Sequence, residues 1–277
     1  PVTITRAEIK VQSVKAKILD NNIAWVRVTS FQERTVPDLA KKLTELANQD
    51  PKMKGIILDL RNNGGGLLQG AVGVAAAFLP ADAVIVSTKG QTADSKQVFN
   101  ATPAMYRLSE PGDPLASVPA IYKKIPMVVL VNAYSASASE IVAGALQDNK
   151  RAVILGTKSF GKGSVQTVIP LDETTALKLT TALYYTPSGR SIQASGISPD
   201  ITLDELKINS LAENPAEPIY LHESELKGHL KNGNGNDKTI FSSTTDNNNL
   251  VKNDYQLFEA LNLLKSMTLL QTTKNIP

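Results

Sequence analysis

Small and polar residues that could carry out nucleophilic chemistry occur in two segments, SASASE at 135–140 and KSFGKGSVQ at 158–166. Serine hydroxyls are weak nucleophiles near neutral pH, so a serine that attacks a carbonyl needs an adjacent base. The chain has no cysteine, and its two histidines, His222 and His229, lie in a polar stretch far along the chain. A lysine is therefore the expected base, as in known Ser–Lys pairs.

Lys162 has a suitable setting for that base. A lysine must be neutral to accept a proton, and burial beside apolar groups favours the neutral amine. Lys162 follows Phe160 and lies between Gly161 and Gly163, which allow close approach of other backbone because they lack side chains. Gln166 lies four residues on, where we expect its amide oxygen to share a face with Lys162 and to orient the ammonium.

Three serines, Ser135, Ser137 and Ser139, compete as the nucleophile. They lie where an apolar run meets the start of an amphipathic segment, which predicts a strand followed by a helix. An amide at a helix start is ready to bind an anion. One of the outer serines could equally cap the helix, so the residues alone leave the choice open.

A glycine run, RNNGGG at 61–66, follows one predicted strand and precedes a predicted helix. Its amides would then line a cleft at the carboxyl end of the strand. An oxyanion formed during acyl transfer needs donors at such a place. A tight strand-to-helix turn would explain the glycines equally well.

The elements that must position these residues alternate along the chain. Continuous apolar runs at 54–60 and 126–133 are typical of buried parallel strands. Residues 36–50 and 67–80 have helical spacing, and residues 164–186 predict a hairpin. The pattern predicts an α/β fold with a layered core and a later β-rich region.

Composition excludes several classes of protein. The 277 residues are 42% hydrophobic with a net charge of +3, which is ordinary globular composition. No apolar run reaches the roughly 18 residues that cross a bilayer, and no basic stripe suggests nucleic acid. The start lacks both an initiator Met and the apolar core of a signal peptide, so we expect an excised fragment.

Four segments together closely resemble the carboxy-terminal processing proteases, also called tail-specific proteases. They are GIILDLRNNGGG, VVLVNAYSASASEIVAGALQDNKRAVILG, KSFGKGSVQTVIPL and YYTPSGRSIQASGISPDI. In that family the middle serine of S-A-S-A-S is the nucleophile and the lysine of F-G-K-G is the base. The resemblance therefore implies that Ser137 and Lys162 form a dyad, with Gln166 completing the site.

The same resemblance implies an oxyanion hole formed by the amides of Ala138 and Gly65, with Gly64 and Gly66 as alternatives to Gly65. It also implies a crotonase- or ClpP-like ββα core. Many relatives have glycine where this chain has Tyr134, which would narrow the entrance to the site.

The resemblance also divides the chain. Relatives carry a PDZ domain before the core, and residues 1–19 look like a remnant of its last strand followed by the first strand of the core. Residues 20–205 form the peptidase core. Residues 206–253 are polar and expected to be flexible. Residues 254–277 form a C-terminal helix, which we expect to dock on the core, with docking on another subunit as the alternative.

The expected function is endoproteolysis of protein substrates near exposed or unstructured C-termini, through an acyl-enzyme and without metal or organic cofactor. The family suggests a bacterial periplasmic or envelope location, self-association and an adaptor protein. Three alternatives remain: a nucleotide-binding loop at 156–162, which has Gly163 where Ser or Thr should follow, a crotonase-like acyl-CoA enzyme, and a non-catalytic peptide-binding or assembly module.

Overall fold

The computed structural model describes residues 12–20, 22–91, 95–108, 111–204, 228 and 254–273. Within them the strands are β1 (Val14–Leu19), β2 (Ile23–Val28), β3 (Gly55–Asp59), β4 (Val84–Gly90), β5 (Gln97–Asn100), β6 (Met127–Val131), β7 (Val153–Gly156), β8 (Ser164–Pro170), β9 (Ala176–Tyr185) and β10 (Ile201–Thr202). The α-helices are α1 (Thr35–Gln49), α2 (Leu68–Ala76), α3 (Pro103–Tyr106), α4 (Ala138–Asp148) and α5 (Tyr255–Thr273).

The strands form two sheets. The larger has the order β1-β2-β3-β6-β7-β10, and the smaller has the order β5-β4-β9-β8. In the larger sheet β2, β3, β6, β7 and β10 run parallel, while β1 pairs antiparallel with β2 at the edge. Because parallel strands need crossover connections, α1 joins β2 to β3 and α4 joins β6 to β7. The predicted α/β class is confirmed.

The central strands are buried on both faces. Along β3, Ile56 and Leu58 face the main core with α1, α2 and α4, whereas Ile57 belongs to a second cluster on the opposite face. Along β6, Val129 and Val128 divide in the same way. Alternation of side chains across the sheet explains why both strands read as continuous apolar runs.

The C-terminal helix α5 covers the second face of the large sheet. Its residues Ala260 and Leu264 are fully buried and join Ile57 and Leu130 in the second cluster. The expected docking of this helix on its own core is confirmed. None of the described helices is long and apolar enough to cross a bilayer.

The structure has elements that the sequence pattern did not predict, and it describes only part of two predicted segments. Between β4 and β6 the chain contributes β5 to the small sheet and contains the short helix α3, neither of which the sequence pattern predicted. Of the predicted first strand at 1–19, the described part is β1; residues 1–11 lie outside the described residues. The polar segment 206–253 also lies outside them, apart from Gly228.

Leu264→Ala should lower the free energy of unfolding by about 2–5 kcal/mol, because it leaves a cavity between α5 and the sheet. The matched control is Leu269→Ala on the same helix, where the side chain is 68% exposed and the change should stay within about 0.5 kcal/mol. Urea denaturation measures both. Equal effects at the two positions would contradict the docking of α5.

Candidate active site

The turn that joins β6 to α4 carries the serine motif. Ser137 immediately precedes α4 and has φ 55° and ψ −112°, a conformation that costs a non-glycine residue about 1–3 kcal/mol. Such strain persists only where surrounding contacts hold it. A strained serine between a strand and a helix is also the arrangement that exposes the nucleophile in other hydrolases.

Burial separates the three serines. Ser135 and Ser139 are fully buried, whereas Ser137 is partly exposed. The Ser135 hydroxyl donates to the Leu60 carbonyl over 2.9 Å, and the Ser139 hydroxyl donates to the Asn63 carbonyl over 2.8 Å. Both outer serines therefore tie the turn to the loop after β3, which leaves Ser137 as the hydroxyl that a substrate can reach.

A single buried carboxylate, Glu140, joins the serine turn to the lysine loop. Its Oε2 accepts the amide of Ser137 at 2.7 Å and the amide of Lys162 at 2.9 Å. Its Oε1 accepts the Ser159 hydroxyl at 2.6 Å and the Gly161 amide at 2.7 Å. The two candidate catalytic residues are thus held together through their backbones.

Burial raises the pKa of Glu140 to about 7 from its ordinary value near 4.5, because the carboxylate loses its hydration. The four hydrogen bonds act in the opposite direction, since they stabilise the charged form. Each oxygen of Glu140 accepts two hydrogen bonds, an arrangement that suits the ionised carboxylate because neither oxygen carries a proton. A proton on either oxygen would have to displace one of these donors.

Lys162 lies in a loop held at both ends. Its neighbour Gly163 donates its amide to Gln193 Oε1 over 3.0 Å, and a Cβ at Gly163 would lie 2.3 Å from the Gln193 nitrogen. The predicted close approach of backbone is confirmed there. The expected burial of Lys162 is wrong, because its side chain is exposed: Glu140 and Gln193 hold the loop through its backbone.

The glycine run packs against the serine turn. Gly65 has φ +104°, and a Cβ there would lie 2.9 Å from the Ser137 Cβ and 3.1 Å from the Ala138 nitrogen. Ala138 opens α4, so its amide has no acceptor within the helix. The Gly65 amide itself donates to Asn63 Oδ1 over 2.9 Å. The structure therefore brings Gly65 and Ala138 together, with the Gly65 amide engaged inside its own loop.

Gln166 is an exposed residue of β8 whose side-chain amide donates to Thr180 Oγ1 over 2.5 Å. Thr180 is its partner across the hairpin. The argument that even spacing places Gln166 beside Lys162 does not hold, because Lys162 precedes the strand and a register shift falls between Val165 and Gln166.

Sequence reasoning missed Glu140. The signal was available, since a serine followed three residues later by glutamate at a helix start is a capping box, and Ser137 with Glu140 forms one. The motif predicts the bond from Glu140 to Ser137. It does not predict the bonds to Gly161 and Lys162, which lie 21 and 22 residues away.

Gly65→Ala should destabilise the protein, because an alanine at positive φ costs about 1–2 kcal/mol and its Cβ would collide with the serine turn. Gly64→Ala is the matched control, since a Cβ at Gly64 meets nothing within 4 Å. The measurement is the free energy of unfolding of both variants. A Gly65 variant as stable as the Gly64 variant would rule out this packing.

Glu140→Gln should remove one pH dependence of stability. The folded protein binds a proton at Glu140 more tightly than the unfolded chain does, because its pKa is raised to about 7. The free energy of unfolding contributed by this group therefore falls as pH rises from about 4.5 to about 7, by at most about 1.4 kcal/mol per pH unit, and is constant above.

The free energy of unfolding of the parent and of Glu140→Gln should be measured by denaturation across that pH range. The difference between the two free energies should change with pH. Glu45→Gln is the control, because Glu45 is only half-buried and the hydrogen bond from Lys42 lowers its pKa. Its difference from the parent should stay constant over the same range. A difference in the free energy of unfolding between Glu140→Gln and the parent that is the same at every pH would contradict the raised pKa of Glu140.

Comparison with known proteins identifies the family. The sequence model of Peptidase family S41 matches residues 22–203. The carboxy-terminal-processing protease of Bartonella bacilliformis is 45% identical over 267 residues, which cover 95% of this chain and 56% of that protein. The carboxyl-terminal-processing protease of Synechocystis is 35% identical over 224 residues, which cover 79% of this chain and 48% of that protein.

A solved structure, the photosystem II D1 C-terminal processing protease, matches with 32% identity and a TM-score of 0.56. The match covers 72% of this chain and 50% of that one. The chain spans about half the length of the relatives it matches. The family match, the identity across most of the chain and the shared fold agree, and the chain belongs to peptidase family S41, with carboxy-terminal-processing serine proteases among its relatives.

Proposed function

We propose that this chain cleaves peptide bonds of protein substrates near their C-termini through an acyl-enzyme, with Ser137 as nucleophile and Lys162 as general base. The supporting observation is that one carboxylate, Glu140, binds the backbone amides of both residues. Burial of Ser135 and Ser139 supports Ser137 as the reacting hydroxyl. The backbone of Lys162 is anchored while its side chain is exposed, so its amine could move towards the Ser137 hydroxyl.

In the proposed reaction, Ser137 Oγ attacks the scissile carbonyl carbon while neutral Lys162 Nζ takes the hydroxyl proton. The new C–O bond gives a tetrahedral oxyanion. When the C–N bond breaks, the ammonium of Lys162 returns the proton to the leaving amine. Water, activated by the same lysine, then hydrolyses the ester and releases Ser137.

The oxyanion would accept hydrogen bonds from the amide of Ala138 and from an amide of the glycine run. Gly65 packs against Ala138 and is our choice for the second donor. Its amide would first leave Asn63 Oδ1, to which it now donates. Gly64 and Gly66 are the alternatives for this donor.

Substrate binding would bury the side chain of Lys162. The lysine is exposed, so a bound polypeptide would cover it and exclude water, which favours the neutral amine. Gln166 would orient that amine through its amide oxygen, which is compatible with its present bond because only the amide nitrogen donates to Thr180.

Substrates, partners and location of the whole protein are also proposals. The relatives' names point to protein substrates with accessible C-termini. An adaptor protein, self-association and a bacterial periplasmic or envelope location complete this proposal. The face of α5 that carries Ala260 and Leu264 is used by the chain's own core, so self-association would use other surface.

A nucleotide-binding loop at 156–162 finds no support in the structure. That motif requires a helix directly after its lysine, whereas this chain continues from Gly163 into strand β8. An acyl-CoA enzyme and a non-catalytic peptide-binding module differ from the proposal in their need for the Ser–Lys pair, so the same experiment decides among them.

Ser137→Ala and Lys162→Ala should each lower cleavage of a disordered protein substrate by roughly 10³-fold or more, because neither attack nor proton transfer can proceed without its partner. Lys162→Arg should be equally inactive, since a guanidinium stays charged. Lys158→Ala is the matched control in the same loop and should cleave at the parental rate. Mass spectrometry of the products over time measures all four in the full-length protein.

Parental turnover in Ser137→Ala would show that another serine is the nucleophile. Turnover of acyl-CoA that does not depend on Ser137 would favour the acyl-CoA enzyme. A parent that binds disordered polypeptides without cleaving them would favour the non-catalytic module.

A further inference from the structure

The start of α5 is joined to the segment after β3 by a partly buried ion pair between Arg61 and Asp254. Asp254, the residue before α5, receives Arg61 Nη1 on Oδ1 and Arg61 Nη2 on Oδ2, both at 2.7 Å. Asp59, the last residue of β3, accepts two hydrogen bonds from the Arg61 guanidinium, at 2.9 and 2.7 Å, and a third from the Arg61 amide at 3.1 Å. Arg61 is 8% exposed. Its planar guanidinium is thus held between two carboxylates, a geometry that lysine could not reproduce.

Asp254 also accepts hydrogen bonds from two backbone amides at the start of α5. Its Oδ1 accepts the Leu257 amide at 3.0 Å, and its carbonyl accepts the Phe258 amide at 3.0 Å. The carboxylate therefore satisfies a donor at the start of α5. One side chain both begins the helix and binds the arginine, so the position of α5 and that of Arg61 depend on each other.

Arg61 begins the run 61–66 that reaches the serine turn. The next residue, Asn62, donates its amide to Asn132 Oδ1 over 3.0 Å and accepts from Asn132 Nδ2 at 2.9 Å. At the other end of the run, Gly65 lies against Ser137 and Ala138. A displacement of Arg61 would therefore be transmitted to the amides proposed to bind the oxyanion.

From these contacts we infer that Asp254 is a positioning residue, which acts through Arg61 to hold the glycine run against the serine turn. The inference rests on the proposed function for its catalytic consequence. It makes α5 part of the catalytic unit, although α5 lies outside the residues 22–203 that match the family. Asp254 touches neither substrate nor reacting atoms, and its effect is on geometry alone.

Two measurements in the full-length protein test this assignment, with Asp254→Asn against Glu259→Gln. The control removes one negative charge from the same helix without touching Arg61. Hydrogen exchange of amides 62–66 should be at least about tenfold faster in Asp254→Asn and unchanged in Glu259→Gln. The kcat for the disordered substrate should fall roughly ten- to a hundredfold with KM nearly constant, because misplaced donors lose transition-state binding.

Asp254→Glu keeps the charge and should restore part of both effects. It also serves as the test variant if Asp254→Asn does not fold. Parental exchange at 62–66 in the Asp254 variants would overturn the inference, whatever happens to activity. A fall in kcat that Glu259→Gln shares would also overturn it. If the parent itself cleaves nothing, the proposed function fails, yet the exchange rates still decide whether Asp254 holds the run.

Discussion

The geometry of the proposed active site depends on one buried carboxylate that accepts four hydrogen bonds. Glu140 is fully buried, and burying a charge is costly unless it is hydrogen-bonded. Three of its donors are backbone amides, from Ser137, Gly161 and Lys162, and the fourth is the hydroxyl of Ser159. Because the bonds hold backbone, the side chains of Ser137 and Lys162 remain available for chemistry while their separation is constrained.

The same arrangement explains how the strain at Ser137 is tolerated. The turn is held from three directions, by Glu140, by the loop after β3 and by its own helix. The loop contributes the Asn63 carbonyl, which accepts the Ala136 amide at 3.0 Å and the Ser139 hydroxyl. Gly65 fills the remaining space, where no Cβ could fit. In the proposed reaction, a serine held in this way would need little reorganisation before attack, as in other preorganised sites.

Much of the fold follows from local pattern. Continuous apolar runs predicted β3 and β6, because strands covered on both faces need no polar residues. Small residues around Ser137 and glycines around Lys162 indicated the two candidate catalytic segments, and the family resemblance selected Ser137 among the three serines. The local sequence pattern did not predict side-chain environments that depend on tertiary contacts. Lys162 is exposed because its loop is held by its backbone, and the side chain of Gln166 bonds to Thr180 after a register shift that spacing cannot predict.

The sequence by itself determined the main elements and the two candidate catalytic segments, since these depend on residue type and period, and its motifs identified the family, whose resemblance selected Ser137. The tertiary structure decided which groups hold them. Glu140 reaches Lys162 across 22 residues, and Arg61 reaches Asp254 across 193. Such pairings arise because the strands end at one edge of the sheet and α5 returns across its face. No periodicity encodes them, so only the folded chain brings those groups together.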